Sequence, residues 1–243
     1  MSKQPGKILM RKEVIRANGL LLFAAVIWGG GFVAQRLGMD SLGPFVFNGF
    51  RFLLGALTLT PLLFRKNKLD GDGNPENWGK TLLVGLGAGI FIFGGATFQQ
   101  IGLIFTTAGK AGFVTGLYVV FVPILGTLWG DHSPVGTWLG AGLAAVGLYF
   151  LSVNQQLQLA PGDGYVLLGA LFWAGHVQFI ANIARNSDPI RISFVQSVVT
   201  AVLSFFVGFL IEETTWDMVQ GAILPILYGG VISIGIAYTL QIV

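Results

Sequence analysis

Within the long apolar stretches of this chain, few side chains can carry charge or exchange hydrogen bonds with a ligand. Arg51 is the most telling of them. A charge at mid-helix in hydrocarbon costs about 2.5–3.5 kcal/mol on insertion scales, so its presence needs a reason. Pro44, Asn48, Arg51, Gly55 and Thr58 follow i, i+4, i+7 spacing and form one small-polar stripe, which must face other helices rather than lipid. Arg51 could contact an anionic or carbonyl-bearing substrate, or hold a gate closed by pairing across it. Static hydrogen bonding to backbone carbonyls freed at a kink is the competing use. His176 is the one histidine inside such a stretch and the one group there that titrates near neutral pH. Both proton coupling and plain hydrogen bonding fit it. No Asp or Glu falls at mid-stretch, which argues against a buried-carboxylate proton relay.

Trp28, Gly31 and Gln35 share one helical face. An offset of 145 residues carries that face onto Trp173, His176 and Ile180. If the two faces oppose each other, both tryptophans line a cavity as apolar walls; packing or interface-belt roles are the alternative. Gln178, with Gly175 and Asn182, forms a second polar stripe on the far side of the same helix, so His176 and Gln178 cannot enter one cavity from a regular helix. Gln99, Gln100, Lys110 and Tyr118 suggest a polar mouth, or else interhelical hydrogen bonds and a snorkelling lysine. Pro123 and Pro225 fall inside apolar stretches and mark a kink, as hinge or as plain bend.

The elements that must position these groups are membrane helices. Charged residues are 10% of the chain and hydrophobic ones 53%, against about 25% and 45–50% in a soluble domain. Apolar runs of spanning length fall at roughly 19–38, 42–64, 79–104, 108–130, 135–152, 162–184, 189–211 and 219–243. The fold class is therefore an all-α integral membrane bundle with about eight spans. With the N-terminus cytoplasmic, eleven of the fourteen Lys and Arg residues lie inside: Lys3, Lys7, Arg11, Lys12, Arg16, Arg65, Lys66, Lys68, Lys80, Arg185 and Arg191. Arg36, Lys110, Asp40, Asp163, Glu212, Glu213 and Asp217 fall outside or near it.

Residues 19–44 and 164–189 align without a gap, pairing Gly19/Gly164, Leu22/Leu167, Ala25/Ala170, Trp28/Trp173, Gly30/Gly175 and Pro44/Pro189. The first copy holds five spans, an odd number, so the second starts on the opposite side and the two are inverted repeats. The expected division is a basic cytoplasmic N-terminus over 1–18, a first repeat over 19–155 and an incomplete second repeat over 162–243. Gly89/Gly230, Gly94/Gly235, Ala96/Ala237, Gln100/Gln241 and Ile101/Ile242 align at an offset of 141, and nothing answers Leu103–Ser152. Two spans of an expected ten are thus expected to be missing, a natural eight-span protein being the alternative. Glycine pairs at i, i+4, such as Gly85/Gly89, Gly112/Gly116, Gly126/Gly130 and Gly136/Gly140, favour close helix packing in lipid.

The run AVIWGGGFVAQRLG, the GFRF segment around Arg51, TTAGKAGFVTGLYVVFVPILG and GTWLGAGLAAVGLYFLS resemble, in that order, the EamA family of the drug/metabolite transporter superfamily. The resemblance covers nearly the whole chain after Asn18. It implies an inner-membrane carrier of ten spans in two inverted five-span repeats, moving small metabolites or drugs by alternating access. This chain departs from that pattern by stopping after eight spans, and by carrying Asp131 beside His132 where the family often has a Glu.

Cysteine is absent, and no phosphate-binding loop, metal-ligand cluster or nucleophile–base pair occurs, so neither cofactor nor metal is expected and transport is secondary or passive. The expected partners are a small-molecule substrate and the lipid bilayer, with no nucleic acid and a homodimer left open. The wall chemistry favours a neutral or zwitterionic metabolite or an amphipathic drug over a sugar phosphate. Two alternatives stand beside the carrier: a non-transporting membrane fragment, and an integral transferase built on Arg51, Asp131 and His132.

Overall fold

The computed structural model describes residues 5–64, 78–128, 130, 133–153, 160–184, 187–237 and 240. Asp131, His132, Gln241, Ile242 and the basic residues Arg65, Lys66, Lys68 and Arg185 lie outside that set, as does Lys3. The described residues form helices and no strand. Six helices are long and apolar enough to cross a membrane, and two shorter apolar ones, Val135–Gly147 and Ile223–Ile236, occupy the places of the fifth and eighth spans.

Span 1 belongs to a longer helix than its apolar run required: Pro5–Gly38 is continuous, so the basic segment before Gly19 is helical from Pro5 onward. Spans 2 and 3 are Pro44–Leu63 and Trp78–Phe105. Span 4 is broken into Ala108–Gly116 and Tyr118–Leu128, with the break at Leu117. Pro123 therefore sits inside the second piece, and the bend falls one to two turns before it. Spans 5, 6 and 7 are Val135–Val153, Pro161–Ile183 and Pro189–Ile211.

Span 8 is irregular. A short helix, Trp216–Gly221, leads into Ile223–Leu227, which holds Pro225, and then into a π-helical segment, Tyr228–Ile236. Its sequence YGGVISIGI supplies glycines that tolerate the wider turn, and the N–H of Ala237 reaches back five residues to the Ile232 carbonyl.

Lipid removes most of the hydrophobic drive between helices, so association depends on close packing. Spans 2, 3, 6, 7 and 8 make the dense centre, through the pairs 3–6, 2–7, 3–7 and 2–8; spans 1, 4 and 5 lie around them. Leu83, Leu143, Phe206 and Leu210 are among the apolar side chains on the outer surface, as a lipid-facing wall requires. Two glycines show how the halves interlock. A Cβ on Gly89 would meet Val199 and the Gln196 carbonyl; one on Gly230 would meet Leu54 and the Arg51 carbonyl. Gly230 is Gly89 shifted by 141, and Val199 and Gln196 are Leu54 and Arg51 shifted by 145, so one contact is built twice from opposite halves.

Candidate substrate path

The polar side chains gather in the centre of this bundle, from both halves of the chain. Gln99 on span 3 is buried and joins three neighbours. Its Nε2 donates to Gln35 Oε1 on span 1 at 2.8 Å, while its Oε1 accepts from Trp173 Nε1 on span 6 at 3.2 Å and from Thr115 Oγ1 on span 4 at 3.4 Å. Gln35 is fixed further by its own Nε2 on the Gly31 carbonyl, 3.1 Å, and by Gln100 Nε2 on its own carbonyl, 3.1 Å. Spans 1, 3, 4 and 6 thus meet in one hydrogen-bonded chain of neutral groups. Of the two readings of Gln99 and Gln100, a polar mouth or interhelical hydrogen bonds, the structure shows the bonds, and both residues are buried.

A cleft opens farther out. An open cleft of about 420 Å³ is lined by Arg36, Ile104, Phe105, Thr106, Lys110 and Ala160. It marks the far face of the bundle, where spans 1 and 3 finish and spans 4 and 6 begin; Gln99 and Gln100 lie one helical turn inward of Ile104. Tyr118 opens the second piece of span 4.

The two tryptophans make different contacts. Span 1 packs on span 8, and span 6 on span 3. Trp28 Nε1 donates to the Ser233 carbonyl in the π-helical segment at 3.1 Å, and Tyr228 Oη returns a bond to the Ile27 carbonyl at 3.0 Å. Gly31 turns its Cα to the same segment: a Cβ there would lie 3.4 Å from Ser233 Oγ. Trp173 instead packs against the buried cluster of Phe52, Ile92, Ala96, Ala201 and Ile234.

His176 Nε2 and Gln196 Oε1 on span 7 are 3.0 Å apart, and the imidazole stands edge-on to Trp173 at 6.3 Å. Gln178 points elsewhere, donating to the Val122 carbonyl on span 4 at 2.7 Å. The two faces of span 6 therefore serve different neighbours, as their angular separation demands. Arg51 is buried, with its guanidinium carbon 4.9 Å from the Phe52 ring centroid and 6.0 Å from that of Phe47, a cation–π setting on its own helix. Asn48, one turn before it, is fully buried.

Sequence reasoning passed over the polar stripe of span 7: Ser193, Gln196, Ser197, Thr200 and Ser204 are all buried. The signal was available. The same offset of 145 that relates Trp28 to Trp173 carries Asn48, Arg51 and Gly55 onto Ser193, Gln196 and Thr200. Thr200 Oγ1 donates to the Gly89 carbonyl at 3.2 Å, across the interlocking contact described above.

Polar ties close the ends of the bundle. At the far face, Glu212 at the end of span 7 accepts from the N–H groups of Phe45 and Val46, 2.9 and 2.8 Å, and so caps the start of span 2, where Gly43 offers no side chain. Thr106 Oγ1 donates to Asp163 Oδ1 at 2.6 Å, tying span 3 to span 6. At the near face, the Arg191 guanidinium stacks over Trp78, 4.4 Å from the ring centroid, and ties span 7 to span 3. Among the described residues, no group of three or more His, Cys, Asp or Glu side chains is placed to hold a metal ion.

Residues 15–153 match the EamA-like transporter family, and residues 160–243 match it again. The chain belongs to that family. It is a multi-pass membrane protein of the drug/metabolite transporter type. An "uncharacterized transporter" of Archaeoglobus fulgidus is 36% identical over 83% of this chain, and the chain spans 60% of that relative's length. A "probable amino-acid metabolite efflux pump" of Escherichia coli K12 is 27% identical, over 86% of this chain and 69% of its own length. A crystal structure at 22% identity overlays 93% of this chain and 78% of its own at a TM-score of 0.66, a likeness of fold.

Proposed function

We propose that the protein is a secondary transporter that moves a small metabolite or drug through the centre of the bundle by alternating access. The observation that carries this reading is the central polar chain, in which Gln35 and Gln99 from one half meet Trp173 from the other. Inverted-repeat carriers hold their solute near the midplane between the halves, where this chain brings polar groups from both. The duplicated contact at Gly89 and Gly230 supports two inverted repeats rocking about spans 2, 3, 7 and 8. The name of the Escherichia coli relative points to an amino-acid metabolite as the first class of solute to try. The proposed membrane is the bacterial inner membrane, with the N-terminus in the cytoplasm.

Two experiments test this. In proteoliposomes, labelled amino acids and amphipathic drugs should show saturable counterflow; unsaturable leak for every solute, equal to that of empty vesicles, would remove the transport reading. Because the chain has no cysteine, single cysteines placed at Ser41 and Ser187 report topology in intact cells. An impermeant maleimide should label Ser41→Cys and spare Ser187→Cys, and the reverse pattern would invert the assigned orientation.

A further inference from the structure

Most buried polar atoms in this bundle have partners, but a small set does not, and three of its residues come to one level of the bundle. Asn48 on span 2 and Ser204 on span 7 are fully buried and Thr97 on span 3 is 8% exposed. Neither amide atom of Asn48, nor the hydroxyl of Thr97 or Ser204, bonds to any described residue.

Their placement follows from the packing. Gly49 lies against Phe205 and Gly208 against Val46, so spans 2 and 7 run antiparallel; Gly85 meets Val195 and Gly89 meets Val199, so spans 3 and 7 run parallel. The apolar cluster of Phe52, Ile92, Ala96, Ala201 and Ile234, with Trp173 against it, crosses these spans at one level. Asn48 is one turn before Phe52, Ser204 one turn after Ala201, and Thr97 next after Ala96. Given those directions, each step leads toward the far face, so the three residues stand at one level just beyond the cluster.

Leaving such groups unpaired is costly, whereas apolar side chains of similar shape would cost nothing. Sets of open donors and acceptors over an apolar floor are what a ligand site requires. Building on the carrier reading, we propose that Asn48, Thr97 and Ser204 form the head-group subsite of the transported solute, with Phe52, Ile92 and Trp173 receiving its apolar body. The set offers a donor–acceptor amide and two hydroxyls and no carboxylate, and the Arg51 guanidinium lies about one turn away beside Phe52. The solute class is therefore a small molecule with a carboxylate head and an apolar body, zwitterionic or anionic; a purely cationic head is excluded. The glutamine chain, whose bonds to protein are made, serves as scaffold.

Three probes with the same branched body separate the head groups: L-leucine, isovalerate and isoamylamine. Melting of the detergent-purified protein should shift upward with leucine and isovalerate and not with isoamylamine. Asn48→Leu and Ser204→Ala should weaken the apparent affinity at least tenfold while leaving the melting temperature of the unliganded protein unchanged or higher. A merely structural role predicts the opposite: lower melting temperature and unchanged affinity in whichever variant folds. That result, an equal shift with the amine, or no shift with any of the three probes overturns the proposal. Counterflow is measured in parallel. Saturable flux without these shifts leaves the carrier standing and removes the subsite; shifts without flux remove the carrier and keep a binding site.

Discussion

Trp28 and Trp173 hold equivalent places in the two halves, yet their indoles do different work. Trp28 donates to a backbone carbonyl of the π-helical segment and clamps span 1 onto span 8. Trp173 donates to a side chain, Gln99, and lies on the central apolar cluster. The starts of spans 2 and 7 diverge in the same way. Span 7 carries its own cap, Asp188, whose carboxylate accepts from the N–H groups of Ile190 and Arg191. Span 2 starts on Gly43 and borrows Glu212 from span 7. A cap from the same helix survives any motion of its neighbours, whereas a borrowed one breaks when spans 2 and 7 part. The start of span 2 at the far face therefore depends on another span, and the start of span 7 at the near face does not.

The largest effect should come from Gln99, on which the central contrast rests. Gln99→Leu leaves Trp173 Nε1 and Gln35 Oε1 without partners, at a cost of about 2–4 kcal/mol. Chemical denaturation in detergent measures it, and a loss below about 1 kcal/mol would mean that the glutamine chain is incidental.

The borrowed and resident caps come next. Glu212→Ala removes two charge-assisted bonds and should cost about 1.5–3 kcal/mol, against about 1 kcal/mol for Asp188→Ala. In addition, Glu212→Ala should raise cysteine accessibility at the start of span 2, and Asp188→Ala should not do so at the start of span 7. Equal accessibility in both would erase the difference between the borrowed and the resident cap.

The tryptophans can be separated by replacing each with Phe, which keeps the ring and deletes the N–H, at about 1 kcal/mol apiece. Hydrogen exchange should then speed up over Tyr228–Ile236 in Trp28→Phe and stay unchanged there in Trp173→Phe. The smallest effect belongs to Arg36→Ala: its pair with Asp40, 2.9 Å, is exposed on both sides. It should change stability by no more than about 0.5 kcal/mol.

Much of this molecule was legible in its residues. Apolar runs separated by polar breaks gave the spans because lipid demands about twenty apolar residues per crossing. Arg51 and Asn48 were read as interior because no lipid-facing position tolerates them, and both are buried. Less legible were the irregularities. Pro123 announced a bend in span 4, but the break fell at Leu117; Pro225 gave no hint that a π-helical segment would follow. Such features depend on what a helix leans against. The bonds of the two tryptophans were illegible for a related reason: repeat equivalence fixes where a residue sits in its own half and leaves its partner open.

By itself, the sequence determined which segments are membrane helices, which faces avoid lipid and how the two halves correspond. Those follow from solvation and helical periodicity, which are local. Only the tertiary structure decided that Gln99 bridges three spans, that Glu212 caps a helix more than 160 residues away, and that Asn48, Thr97 and Ser204 are buried with polar atoms left open. Hydrogen-bond partners are chosen by the crossing and direction of whole helices, and small residues such as Gly89 and Gly230 set those crossings only when both halves are in place.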